Sequence, residues 1–511
     1  MPSLRALALV AAVVEVFLLG LVAVAPVGGV AQSISPLARV WPWLLAPARL
    51  IFGDALVRGS LPPERGWPAL ALFVTLLLGA SCAAALALPL CRRAIGASPR
   101  HLALALGAAA VLGATLVLLP SLPSDDVFSY ILYGRISVLH HANPLIAAPS
   151  SFPSDPFLQL VFWQGTRSVY GPAWLLLSGA LTRVAGAFGG SLATYVLLYK
   201  VLGLAAHLAN VVLIWAILGL RAPRRQLFGT LLYAWNPLCL LEFCASGHND
   251  ALMLTFALAG IYCLLRAWEV PALICFGLSI SVKYVLLALV PLYLVLVARM
   301  LWARRQTLPA VAGAVAWRAA VVLGVVALTA VPFWAGPRTF GAILYSPPAQ
   351  KLDNSLLEML QWPLRSLAQA LGASRDGAAN AVEGGLKALG LVIFAGLWLR
   401  ELRRTRDVAS MLRGWGWVLC WYAVIASVWF WPWYATWAVA LAAVAVSDEL
   451  STAALLLAGG ALTLYGFLPL YASGIYGFRA LVAFGPVLLY VLWWRRRAVG
   501  HALNRVLRAH V

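Results

Sequence analysis

Runs of about twenty apolar residues recur from one end of this chain to the other, and few folds can accommodate them. They fall near residues 6–27, 67–90, 102–119, 192–220, 227–244, 251–265, 319–334, 388–398, 416–431, 434–446, 452–468 and 480–494. In a bilayer a helix satisfies every backbone polar group within its own segment, so such runs read as membrane-spanning helices. The composition agrees. The chain of 511 residues is 63% hydrophobic and 11% charged, with a mean hydropathy of +0.90. A soluble domain is roughly 45–50% apolar and about 25% charged. A water-soluble fold and a disordered chain are both excluded. The expectation is an all-α polytopic membrane protein, one domain over 1–511, with about twelve transmembrane helices.

The formal charge of +20 forms no single basic face, so no nucleic-acid partner is expected. The charges gather instead at the ends of apolar runs, as topology signals do. An inside amino terminus puts Arg92, Arg93 and Arg100 in the cytoplasm and 121–171 outside. Arg400 to Arg404 and Arg495 to Arg497 are then inside, with both termini cytoplasmic in a multi-pass cell-membrane protein. The first run follows Arg5 and has small residues near Gly29-Val30-Ala31; its length favours an anchor over a signal peptide. The stretch 28–66 carries Arg39, Arg49, Arg58 and Arg65 and reads as interfacial, being rich in proline and tryptophan.

Two segments break the simple pattern. Trp174–Ala187 is short and holds Arg183, which fits a re-entrant or interfacial element. Pro271–Ala298 is flanked by Arg266 on one side and by Arg299, Arg304 and Arg305 on the other. It is too short for two crossings and has Lys283 at its middle, so it reads as a broken helical hairpin entered from the cytoplasmic side. The organisation is therefore amino-terminal spans (1–120), an outer loop with a juxtamembrane helix (121–172), core spans and hairpin (173–305), carboxyl-terminal spans (306–494) and a basic tail (495–511). That tail reads as a lipid-surface helix. No internal repeat stands out.

The seven cysteines lie in or beside apolar runs without ligand spacing, and read as small hydrophobes. Polar groups at run ends are more telling. Pro120 and Pro123 end the third run, and Ser124, Asp125 and Asp126 open a helix with Val127, Tyr130, Ile131, Gly134 and Val138 on one face. Asn143-Pro144 stops it. An aspartate here caps a helix, yet capping needs only one, and a pair invites a base, a shared proton or a metal. Ser168 to Pro172, around Tyr170, forms a turn, and Asn236-Pro237 breaks the run at 227–244. Gly247-His248-Asn249-Asp250 sits at the outer end of the next run. These clusters converge on one outward-facing site. Lys283 is costly in an apolar stretch unless it snorkels or meets an anion. Glu242, Asp353, Asn354 and Glu358 belong to no comparable cluster. Phe430 to Tyr434 reads as an interfacial aromatic belt, with sugar stacking as the sharper alternative.

At these residues the chain resembles the GT-C superfamily of integral-membrane glycosyltransferases, and within it the actinobacterial polyprenyl-phosphomannose-dependent α-(1→6)-mannosyltransferases. The resemblance rests on SDDVFSYILYGR followed by ANPL, SVYGPAW, WNPLCLLEF followed by GHNDALM, and SVKY, in the family's order over residues 120–300. The carboxyl-terminal half agrees in hydropathy and in WPWYATW. Histidines precede Asn143, where the family has a glycine-bearing turn, and the chain has an aspartate pair where one is common.

The resemblance implies a GT-C-like bundle and an inverting transfer of a sugar, mannose in the family, from a polyprenyl-phosphate donor to a glycan or glycolipid acceptor on the outer face. This is cell-envelope glycan chemistry. Asp126 matches the motif aspartate and is implied as the base, with Asp125 assisting. His248, Lys283 and Arg135 are candidates for the donor phosphate, and Tyr130, Asn143, Tyr170, Asn249 and Asp250 for the sugar or acceptor. The scheme requires no cofactor and no metal, although paired aspartates can hold a divalent ion. A lipid-linked transferase for another sugar would share these features. A polytopic lipid or sugar transporter would instead place polar groups near the bilayer midplane.

Overall fold

The computed structural model describes residues 3–27, 30, 33–54, 63–92, 97–341, 352–471 and 473–508, with the backbone alone for 63–66, 92 and 497–508. Gly29, Ala31, Arg58, Arg93 and the last three tail residues lie outside the described residues. The chain is helical almost throughout. Short turns aside, the first helices are α1 (Leu4–Val24), α2 (Pro63–Arg92), α3 (Pro99–Val117), α4 (Asp126–Val138), α5 (Pro172–Ala187) and α6 (Leu192–Arg221). Next come α7 (Gln226–Ala234), α8 (Pro237–Leu240), α9 (Asp250–Leu265), α10 (Glu269–Val282), α11 (Val290–Ala303) and α12 (Leu308–Ala330). The last are α13 (Arg375–Arg404), α14 (Val408–Trp421), α15 (Tyr434–Ala445), α16 (Asp448–Phe467) and α17 (Arg479–Arg508). One short antiparallel pair, Ser33–Ile34 with Ser121–Leu122, ties the segment after α1 to the segment after α3.

Local chemistry sets the helix starts. Proline opens α3, α5 and α8, where its missing N–H costs nothing. Ser191 Oγ accepts from the Thr194 N–H at 3.1 Å to start α6. Asn236 Oδ1 accepts from the N–H groups of Leu238 and Cys239 at 3.1 and 3.3 Å, restarting the chain as α8 after the break. Apolar contact alone is a weak glue between helices in lipid, so packing and buried polar links carry the assembly. Asn210 Nδ2 on α6 donates to the Ala251 carbonyl of α9 at 3.0 Å and to Tyr233 Oη of α7 at 2.9 Å. Arg318 on α12 holds Glu269 at the start of α10 through bonds of 2.6 and 2.8 Å.

Among the described residues, ten helices are long and apolar enough to cross a membrane, or eleven if the bent pair Pro223–Ala234 and Pro237–Ala245 counts as one span. The figure of twelve needs correction in two places. The runs at 251–265 and 434–446 form helices of only 16 and 12 residues. Conversely, the return arm of the hairpin, Tyr284–Ala303, reaches spanning length. The hairpin does break at Lys283, but it runs deeper than expected. Lys283 bonds Asp250 at the first turn of α9, so its apex reaches the level where α9 begins. Broken backbone at that depth needs partners. Gly171 N–H donates to the Val282 carbonyl at 3.1 Å, and Trp398 Nε1 donates to the Ala288 carbonyl at 2.8 Å.

Two further elements differ from the sequence reading. The helix after the aspartate pair forms as expected, but nine of its thirteen residues are buried, on both faces. It packs on α5 rather than lying with one face free. The tail also starts no new helix, because 495–508 continue α17. The first run joins the bundle, with Val14 and Leu21 of α1 fully buried against α2 and α3.

Candidate active site

Five segments meet at the end of the bundle where α4 and α9 begin. Asp126 is the first residue of α4, and its carboxylate keeps 20% exposure. Tyr170 Oη donates to Asp126 Oδ2 at 3.1 Å. The Tyr170 turn is set by Gly171, where an added Cβ would lie 2.1 Å from the Ser281 carbonyl oxygen. Only glycine lets this turn dock on the last turn of α10, just before Lys283.

A third segment carries His248. After α8 the chain widens into a π-helical turn, Leu241–Ala245, and Gly247 then takes a positive φ of 71°. The two distortions fold His248 back onto Glu242. His248 Nδ1 bonds Glu242 Oε2 at 2.9 Å, and Tyr465 Oη donates to Glu242 Oε1 at 2.6 Å. Fixed this way, His248 turns Nε2 toward Asp126 Oδ2 at 3.9 Å, with no hydrogen-bond partner of its own. That separation is too long for a direct bond. It does admit one oxygen bonded to both groups.

Asn249 follows, buried, with neither side-chain atom hydrogen-bonded. Asp250 is fully buried and accepts from Lys283 Nζ at 2.8 and 3.0 Å and from Trp437 Nε1. The Lys283 ammonium also sits 5.1 Å from the Tyr434 ring and 5.2 Å from the Trp437 ring. An ammonium has three N–H donors, so one remains. Burial first, then the charges of Asp126 and Asp250, hold the Tyr130 hydroxyl well above the ordinary tyrosine range. Tyr130 is thus a neutral donor wedged edge-on against Tyr170 and Trp174.

Residues 58–299 match the model of the MptA_B family, described as alpha-(1->6)-mannopyranosyltransferase, N-terminal domain. That stretch is similar to the family and supplies most of the residues of this site. It is a mannosyltransferase family, and the matched region carries Asp126, Tyr170, His248, Asn249, Asp250 and Lys283. No curated protein and no solved structure matches the chain.

Not every sequence candidate reaches the cluster. Asp125 is the residue before α4, but its Oδ1 accepts from Ser33 Oγ at 2.7 Å, on the short sheet. Burial, and secondarily the charge of Asp126, raise its carboxyl above the usual carboxylate value against the Ser33 bond. Arg135 lies in the third turn of α4 and grips Asp155 through Nε at 3.0 and 3.2 Å, with His140 Nε2 on the same carboxylate at 2.8 Å. Asn143 shapes the loop, with Oδ1 accepting from Leu145 N–H at 3.0 Å and Nδ2 donating to the Phe333 carbonyl. Among the described residues no group of three or more His, Cys, Asp or Glu is placed to hold a metal.

Beyond the matched region, the carboxyl-terminal half of the molecule closes over the matched segment. Trp433 lies against the His248 ring with centroids 4.1 Å apart, and Trp437 and Tyr465 anchor Asp250 and Glu242. The sequence marks Trp433 only as one of an aromatic run. Trp437 closes the WPWYATW stretch, whereas Tyr465 carries no local signal, because a single polar atom on a ring in a membrane helix shows its purpose only once a partner arrives.

Proposed function

We propose that the chain is an inverting mannosyltransferase that moves mannose from a polyprenyl-phosphate donor to a hydroxyl of a glycan or glycolipid, at the outer face of the membrane. The carrying observation is the gap between Asp126 Oδ2 and His248 Nε2, 3.9 Å wide and otherwise unfilled by hydrogen bonds on the imidazole side. An acceptor hydroxyl seated there lies about 2.8 Å from the carboxylate, the distance of an O–H···O bond. Asp126 takes its proton as the oxygen attacks the anomeric carbon. Tyr170 holds the carboxylate in place.

Displacement from the face opposite the leaving group inverts the centre, so a β-linked donor gives an α product. The leaving phosphate needs positive charge rather than a proton. Lys283 supplies it with its third N–H, while Asp250 keeps the ammonium aimed. His248 joins it when Nε2 carries a proton, and the unpaired Asn249 amide is the natural partner for a sugar hydroxyl. The scheme runs without a metal ion.

The test is incubation of purified protein with radiolabelled polyprenyl-phosphate sugars and a membrane glycan extract. Mannose should move from the β-linked polyprenyl phosphate. Asp126→Asn should lower transfer by roughly 10²–10⁴-fold with donor binding retained. No transfer from any lipid-phosphate sugar sinks the reading, and a fully active Asp126→Asn sinks the base assignment.

A further inference from the structure

A file of aromatic rings leads from the surface of the 139–171 loop to His248. Trp163 meets Trp429 at 5.6 Å, Trp429 meets Trp431 at 6.0 Å, and Trp431 stacks on Trp433 at 5.3 Å with planes 3° apart. Trp433 then contacts His248. At the outer end Phe162 is 75% exposed and touches Trp163 edge-on at 4.8 Å. Trp429 and Trp433 are buried, and Trp163 and Trp431 are half-buried, so buried rings alternate with accessible ones along the file.

This geometry is unlike a lipid-facing belt, whose rings sit at one depth around the outside of a bundle. The file runs inward, to a reacting centre. It is also rigidly held. Asp353 N–H donates to the Val428 carbonyl at 2.8 Å, and Phe430 N–H donates back to the Asp353 carbonyl at 3.3 Å. Arg479 at the start of α17 clamps that strand-like contact, donating to Asp353 Oδ1 at 2.8 Å and Asn354 Oδ1 at 2.7 Å. On the other side, Tyr133 Oη fixes the Thr166 carbonyl at 2.9 Å.

We propose that this file is a subsite for the glycan chain of the acceptor, on the side away from the hydroxyl that reacts. It deepens the mannosyl-transfer reading and rests on it for the identity of the acceptor. A hexose presents C–H groups on its faces and hydroxyls at its rim. An aromatic face is electron-rich and attracts those C–H groups, while the hydroxyls stay wet. The accessible rings, Phe162, Trp163 and Trp431, offer successive sugar positions from the surface inward, with the buried Trp429 and Trp433 holding them in place.

The experiment measures binding of manno-oligosaccharides of increasing length to the purified full-length protein by calorimetry, beside transfer to the same acceptors. Wild type should bind longer chains more tightly. Trp163→Ala and Trp431→Ala should each weaken binding and raise KM for long acceptors roughly three- to tenfold, leaving the shortest acceptor unchanged. Trp431→Tyr, which keeps a flat ring, should retain most of the length dependence. The proposal is overturned if the alanine variants keep the wild-type length dependence, or if they lower kcat equally for every acceptor, which would make the rings mere props for His248. Should wild type transfer no sugar, the functional reading falls, and length-dependent binding lost in the variants still decides for or against the subsite.

Discussion

His248 and Glu242 form a fixed pair: the imidazole Nδ1 bonds the carboxylate at 2.9 Å, with both side chains fully buried. The pair leaves one imidazole nitrogen, Nε2, to face Asp126. A carboxylate behind a histidine fixes which nitrogen is the donor and how the ring is turned. The chain has to adopt a π-helical turn and a left-handed glycine to make this pair, and such distortions gather at functional sites.

Glu242→Gln should therefore lower kcat more than it raises KM. Losing a buried bond to a charged group costs about 1.5–3 kcal/mol, or roughly ten- to hundredfold in rate. Tyr465→Phe removes only the neutral hydroxyl that steadies Glu242 and should cost less than Glu242→Gln. Steady-state transfer kinetics on both variants check the order. Equal and small effects would mean that the orientation of His248 does not matter to the reaction.

Lys283 and Asp250 allow a sharper separation of structure from chemistry. Lys283→Met strands a fully buried carboxylate, which costs about 3–5 kcal/mol of stability. Pairing it with Asp250→Asn removes the stranded charge, so the double variant should recover most of the lost thermal stability in detergent. It should not recover transfer, because the cation proposed to face the donor phosphate is still gone. A double variant that regains both would reduce the pair to a structural tie.

Much of this was legible in the chain because a polar side chain is conspicuous in an apolar run. Lys283 interrupts such a run, while Asp126, Tyr170, His248, Asn249 and Asp250 stand in the loops at run ends, and the fold draws all six together. Arg135 and Asn143 stand out just as clearly, yet Asp155 and the Phe333 carbonyl hold them elsewhere. Nothing local distinguishes a cation that meets a substrate from one that meets a carboxylate twenty residues on. Span lengths failed for a related reason. The 12 residues of α15 are apolar apart from Thr436, yet the helix starts only after Trp433, which lies on His248, and its first turn places Trp437 on Asp250.

The Asp155 cluster carries a pH signature of its own. Burial would raise this carboxyl, but the bonds from His140, the Phe157 N–H and Arg135 outweigh it, and the group is held below its ordinary value. A depressed carboxylate adds stability above its unfolded value of about 3.9, and that stability is lost as pH falls through the folded value. Asp155→Asn should thus be less stable than wild type at neutral pH. The difference should shrink as the pH drops below about 4. Thermal unfolding across that range measures it, and a gap that stays constant with pH would exclude Asp155 as its source.

Gly171 offers a test of how closely Tyr170 must approach Asp126. A methyl at this position would overlap the Ser281 carbonyl oxygen at 2.1 Å and press on the Val282 carbonyl carbon at 3.2 Å. Both are backbone atoms and cannot turn aside, so the Ser168–Pro172 turn has to lift away from the hairpin. Overpacking of this kind costs about 1–3 kcal/mol. Lifting also breaks the Gly171–Val282 backbone bond and carries Tyr170 Oη off Asp126. Tyr170→Phe removes the same hydroxyl while leaving the turn seated, so it isolates the bond from the docking. Gly171→Ala should be the slower of the two in transfer and the less stable in thermal unfolding, since it disturbs both Asp126 and the backbone ahead of Lys283. Equal rates would locate the whole effect in the Tyr170 hydroxyl and leave the docking of the turn without a part in catalysis.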